Sequence, residues 1–156
     1  MKYLRAFLAG SLCLLLFSHC EKEEAEATVY RITQGTFFCE CFGECLTEAR
    51  FTGAAIEATT YQTCSPMSAV QRECSETLSD AEFQSILALV DWEAFRSLEE
   101  TIGCPDCADG GGQWVEINRG GEVYRVTYEF GAPPTELAEL VNELSQRVTE
   151  LVTSGC

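Results

Sequence analysis

Histidine is nearly missing from this chain. Its 156 residues include a single one, His19, alongside two methionines and four prolines. A histidine-dependent triad therefore has no base beyond residue 19, and no G-x-S-x-G nucleophile elbow is present. Lysine is almost as scarce: past Lys22 every positive charge is an arginine. Ten basic residues face 25 acidic ones, for a formal net charge of −15. A surface this acidic repels phosphate backbones and anionic headgroups, which excludes nucleic acid and charged lipid surfaces as partners. No glycine-rich phosphate loop opens a helix, because the run Gly110–Gly112 leads into a strand pattern. The 25 carboxylates fall into no glycosidase pattern and read as a solvated surface. Nothing here calls for a cofactor. Residues 6–17 are apolar but fall short of the roughly 20 residues a membrane-spanning helix needs.

The first twenty residues are an address. Lys2 and Arg5 precede AFLAGSLCLLLF, the apolar core of a secretory signal. Two cleavage points fit. Ala25-Glu26-Ala27 offers the small residues of an ordinary signal-peptidase site and would leave a chain starting at Thr28. The other is Cys20, directly after Phe17-Ser18-His19. That arrangement resembles a bacterial lipoprotein signal, in which the cysteine becomes the lipid-modified first residue. Glu21-Lys22-Glu23-Glu24 resembles the acidic, lysine-containing export tag of surface lipoproteins in Bacteroidota. The resemblance implies a signal over 1–19, acyl chains on Cys20, a lipid-anchored acidic spacer over 20–28, and a place at the outer membrane or cell surface. The membrane is then a partner through the anchor, each buried CH₂ contributing ~0.8 kcal/mol. The alternative cleavage implies a freely secreted or periplasmic protein. Without residues 1–19 the chain loses Lys2 and Arg5, keeping eight basic residues against all 25 acidic ones.

Eight cysteines remain beyond Cys13 and Cys20: Cys39, Cys41, Cys45, Cys64, Cys74, Cys104, Cys107 and Cys156. An even number in an exported chain reads as a disulfide framework. Cys64 and Cys74 bracket a loop containing Ser65-Pro66, which favours a local bridge between them. Cys39 and Cys41 are too close in sequence to bond each other without strain. They need partners among Cys45, Cys104, Cys107 and Cys156. Cys156, after Gly155 at the end of a helical pattern, ties that end down.

Two sharper chemistries use the same residues. Cys104-Pro-Asp-Cys107 is a C-x-x-C motif of the kind used in thiol–disulfide exchange. Such motifs open a helix after a strand; here the order is reversed, a helical pattern before and a glycine loop and strand after. Zinc on Cys39, Cys41, Cys45, Cys104 and Cys107 is the other, disfavoured against disulfides without histidine in an oxidising compartment. Asp106 and Asp109, among glycines, are weak calcium candidates whose spacing fits no EF-hand.

Residues 29–34 alternate as a strand, and 48–62 around Gly53 read as one bent strand or a hairpin. Ser79-Asp80-Ala81-Glu82 is a capping box opening a helix with Phe83, Ile86, Leu87 and Val90 on one face. Asp91 caps a second short helix in which Trp92, Phe95 and Leu98 face inward. Strands 113–119 and 122–130 form a hairpin across Gly120-Gly121, with Tyr124, Val126, Tyr128 and Phe130 on one face. Pro133-Pro134 start a last helix whose Leu137, Leu140, Val141, Leu144, Val148, Leu151 and Val152 make a continuous apolar stripe, ended by Gly155. This order predicts one α+β domain over 29–156: a small antiparallel sheet with two to three helices on one face, braced by disulfides.

Cys41-Phe42-Gly43-x-Cys45, followed by a strand pair, the Ser79 helix and the late hairpin, resembles small secreted domains of Bacteroidota that carry an early Cys-Phe-Gly-x-Cys-Pro segment, Leu46 standing here for the proline. The resemblance implies this fold and no activity. Two function classes follow. One is a non-catalytic envelope lipoprotein, a binding module for a protein or glycan, with an exposed apolar or aromatic patch involving Trp92 or Trp114 as contact surface. The other is a thiol–disulfide oxidoreductase using Cys104 and Cys107.

Overall fold

A computed structural model describes residues 29–154 and Cys156. The signal over 1–19, the lipidation site Cys20, the spacer before Val29 and the helix-ending Gly155 lie outside the described residues. The chain forms strands β1 (Val29–Phe37), β2 (Leu46–Phe51), β3 (Ala55–Tyr61) and β4 (Val70–Thr77), then helices α1 (Asp80–Leu87) and α2 (Trp92–Ser97). A two-residue strand β5 (Thr101–Ile102), the hairpin β6 (Gly112–Arg119) and β7 (Glu122–Glu129), and α3 (Ala138–Thr153) complete it.

All seven strands join one sheet in the order β4-β3-β2-β1-β6-β7-β5. Every neighbouring pair is antiparallel except β5 with β7, so the sheet is mixed and larger than the small antiparallel one expected. Two strands escape a pattern reading. In β4, Val70-Gln-Arg-Glu-Cys-Ser-Glu-Thr77 buries Cys74 alone. It is an edge strand, hydrogen-bonded on one side and wet on most of its surface, so the alternation that marks an inner strand is lost. β5 continues what reads as helix after α2, and its pairing with Thr127 and Tyr128 of β7 is a long-range choice.

Local signals elsewhere hold. Ser79 Oγ accepts from the Glu82 amide at 3.3 Å while the Ser79 amide donates to Glu82 Oε2 at 2.9 Å, closing the capping box. Asp91 Oδ1 accepts from the Ala94 amide at 3.0 Å, starting α2. Gly120 and Gly121 take φ of 58° and 87°, the two left-handed positions of a primed hairpin turn. Residues 48–62 form a hairpin rather than one bent strand, turning between Phe51 and Ala55.

One cluster holds the fold. Ile32, Phe51, Ile56, Val115, Ile117, Val126 and Tyr128 from alternate sheet positions meet Phe83, Ile86 and Phe95 from α1 and α2. They also meet Leu137, Leu140, Leu144 and Leu151 from the last helix and its lead-in. The opposite sheet face takes the intervening residues. Its ion pairs join Glu116 to Arg31 (3.7 Å) and Arg125 (2.8 Å), and Arg50 to Glu57 (3.5 Å). Phe130 keeps to the helix-facing side with Gln34 and Gln113, but it lies just past the end of β7 at Glu129 and its ring is about half exposed at the sheet end.

Candidate ligand-binding groove

The ends of β1, β3 and β7 and the starts of β2, β4 and β6 lie at one end of the sheet, where three loops are stapled. Cys39–Cys64 ties the β1–β2 loop to the β3–β4 loop. Cys41–Cys45 closes a five-residue ring with Phe42 fully exposed. Cys104–Cys107 closes the loop before β6. The fourth pair, Cys74–Cys156, fastens the end beyond α3 to β4, the role expected for Cys156.

The Cys64–Cys74 bridge favoured by the sequence is therefore corrected. Cys64 lies in the β3–β4 loop, bonded to Cys39 of the β1–β2 loop, whereas Cys74 sits inside the unanticipated strand β4 and is buried in the core. Cys39 likewise finds a partner outside the expected set, and Cys41 a local one. Glu44, inside the small ring, accepts from Thr60 Oγ1 at 3.0 Å and pairs with Arg72 at 2.8 Å. Arg72 in turn donates to the Val152 carbonyl at 3.0 Å, tying ring, edge strand and helix C-terminus together.

The Cys104–Cys107 loop is held by carboxylates. Asp106 accepts from the amides of Cys39 (3.3 Å) and Gly111 (3.1 Å), and Glu129 Oε1 accepts from Cys104 at 2.9 Å. Asp106, Ala108 and Asp109 all take positive φ, between 53° and 61°, a conformation these bonds maintain. The Asp106 carboxylate is thus committed to backbone amides. Among the described residues no three His, Cys, Asp or Glu side chains gather as a metal ion needs. Both cysteines are exposed, yet the motif opens a three-residue 3₁₀ turn instead of a helix. A reactive thiolate is favoured by cations or a helix N-terminus, and the charged groups bonded here are acidic.

Neither tryptophan offers a contact patch. Trp114 is buried beneath Arg125, whose guanidinium lies 3.8 Å from the ring centroid. Trp92 is half-buried against Phe95 with Arg119 5.6 Å over its ring.

Over the stapled end, the C-terminal half of α3 and the sheet enclose a groove of about 390 Å³. Gln34 and Thr36 of β1, Thr47 of β2 and Gln113 of β6 form its sheet side. Ser145, Val148, Thr149, Val152 and Thr153 form the helix side, and Phe130 stands at the edge. None of these residues is charged. Phe130 is held edge-on by Phe38, ring centroids 4.9 Å apart.

The polar side chains of this lining are mostly spoken for. Gln113 Oε1 accepts from the Gly131 amide at 3.0 Å and its Nε2 donates to Thr36 Oγ1 at 3.3 Å. Thr149 and Thr153 donate to the carbonyls one turn back, Ser145 and Thr149, leaving hydroxyl lone pairs uncommitted. Gln34 is the exception. It is 4% exposed; its Nε2 donates to Ser145 Oγ at 2.6 Å, and its Oε1 has no partner among the described residues. An orphaned buried carbonyl costs about 1–3 kcal/mol, and here it borders the groove.

The groove was not anticipated from sequence. Its one available signal is the register of β1, which puts Gln34 two residues after the fully buried Ile32, where an apolar side chain belongs. The opposite sheet face carries a hollow of about 350 Å³, where Arg50 is already paired with Glu48 and Glu57. The chain matches no known protein-family model and no curated protein.

Proposed function

We propose that the chain is an exported, non-catalytic binding module, held to the cell envelope by lipid on Cys20, whose ligand enters the groove between α3 and the stapled end of the sheet. The observation that carries the reading is the uncharged groove floored by a buried amide with an open valence. Pre-formed concave sites with few placed polar groups are how small ligands are recognised, and Phe130 at the edge of this one packs on Phe38 of the stapled β1–β2 loop. The four disulfides fit an oxidising environment outside the cytoplasm. No described helix is long and apolar enough to cross a membrane. The acidic partners of the Cys104–Cys107 loop favour a staple over a redox pair.

Intact mass of the full chain, expressed with its own signal in a Gram-negative host and measured with and without alkylation, tests the anchor and the chemistry together. The expected product begins at lipid-bearing Cys20 with the other eight cysteines oxidised. An unlipidated chain starting at Thr28 overturns the anchor. Ready alkylation of Cys104 and Cys107 in the native protein overturns the non-catalytic reading in favour of thiol–disulfide exchange.

A further inference from the structure

From the lining chemistry we infer that the groove takes one uncharged sugar ring, the end unit of a neutral glycan, with a ligand hydroxyl completing the Gln34 amide. This rests on the binding-module reading and narrows it to a ligand class.

Three features select the class. The lining holds no ionised side chain, so an anionic or cationic ligand would lose its hydration without a counter-charge. Next, the open valences are those a hydroxyl satisfies. With Ser145 holding one end of the Gln34 amide, the other end needs a donor if it is the carbonyl and an acceptor if the amide is turned; a hydroxyl is both. Thr149 and Thr153 have committed their protons to helix carbonyls and present oxygen lone pairs along the same wall. A surface of closely spaced acceptors suits a ligand with donors on successive carbons, as a polyol has and a peptide, with one N–H per residue, does not. Finally, the shape is amphipathic. Phe130, Val148 and Val152 supply an apolar side against which the C–H face of a pyranose packs, and about 390 Å³ lies at the small end of ligand-site volumes.

The test uses ¹⁵N-labelled mature protein purified from a host that processes its signal. It is titrated with the methyl glycosides of glucose, galactose and mannose and with N-acetylglucosamine. Glucuronate, glucosamine, cyclohexanol and a blocked neutral tripeptide serve as comparison probes. At least one neutral sugar is expected to shift the Gln34 side-chain amide and the Thr149 and Thr153 backbone amides saturably, with the charged sugars weaker by about tenfold or more. Gln34→Leu should reduce that affinity by about tenfold while the melting temperature is held or raised, since the orphaned carbonyl is gone. Thr149→Val, at the groove's outer wall, provides a second reduction that no core rearrangement explains.

Cyclohexanol binding as well as the sugars, or the tripeptide alone shifting these amides, overturns the sugar assignment and leaves the groove a binding site. If every probe leaves the Gln34 amide unmoved, the sugar proposal and the groove's role both fail, while the anchor is judged separately by intact mass.

Discussion

Gly35 and Trp114 face each other across β1 and β6, and the indole lies so close over the glycine that a Cβ at position 35 would fall 2.1 Å from Trp114 Cε2. The next pair on the same face repeats the arrangement with the roles exchanged: Phe37 covers Gly112, where a Cβ would meet the ring at 2.4 Å. Each glycine, a poor strand residue by itself, gives an aromatic ring of the neighbouring strand a flat bed. This is how a large indole becomes buried on the sheet face that no described helix covers, with Arg125 as its roof.

Gly35→Ala should therefore behave as an overpacking mutation, costing about 1–3 kcal/mol by displacing the indole. Urea denaturation reads the cost, and tryptophan fluorescence should shift to the red as Trp114 becomes wetter. In a Trp114→Ala background the same substitution should cost little, because the ring it collides with is gone. Equal costs in both backgrounds would refute the contact.

What the sequence made legible is what is decided within a few residues. The Ser79–Glu82 box, the Asp91 cap, the Gly120-Gly121 turn and the α3 stripe each satisfy their own hydrogen bonds or face locally, so a pattern suffices to find them. The β4 strand, the partner of Cys64 and the burial of Trp114 depend on which strands become neighbours. Arg72 shows the point: it reads as one charge in a polar stretch, yet it joins Glu44 to Val152, 28 residues one way and 80 the other. Gln34 was hidden for the opposite reason. A polar residue in a strand reads as solvent-facing unless the register of its neighbours is known.

Tyr128 carries a second orphan. It is fully buried and its hydroxyl has no hydrogen-bond partner among the described residues. Burial pushes its phenol well above the ordinary range for tyrosine. Tyr128→Phe should raise stability, recovering part of a penalty of about 1–3 kcal/mol for an unpaired buried polar group. The pH dependence has a definite sign. The folded state holds the proton more tightly than the unfolded chain, so this contribution is complete below about pH 10 and falls as pH rises beyond it. Denaturation midpoints at pH 8 and pH 11 check both statements: the alkaline loss should be smaller in the phenylalanine variant.

Glu82 works on the acid side. Its carboxylate receives the Ser79 hydroxyl and then the Ser79 amide, and these bonds hold its pKa below the ordinary glutamate value. Because the folded value is depressed, the capping contribution is present above about pH 4.3 and is lost as pH falls through the folded value. Amide exchange in the first turn of α1 should accelerate on acidification in the native protein. In Glu82→Gln it should be nearly independent of pH, since the amide oxygen can still accept from Ser79. A Glu82 carboxyl signal titrating at its unperturbed position would remove the box from the stability account.

The four staples should differ in worth according to the chain each closes. On the chain-entropy account a bridge constrains the unfolded ensemble more as its loop lengthens. Cys74–Cys156 spans 82 residues, Cys39–Cys64 spans 25, Cys41–Cys45 four and Cys104–Cys107 three. Paired Cys→Ala replacement should cost about 4 kcal/mol for the first, about 3 for the second and about 2 or less for the two short rings. Cys74 is also buried in the core, so its replacement adds a small cavity cost in the same direction. The short rings have a different job: they shape the loops at the sheet end beside the groove, and their removal should loosen amide protection in residues 38–45 and 103–111 more than it lowers the global midpoint. Denaturation of each double variant, read beside residue-level hydrogen exchange, separates the two roles. A short-ring deletion that destabilises the whole domain as much as loss of Cys74–Cys156 would show that the stapled end belongs to the cooperative core.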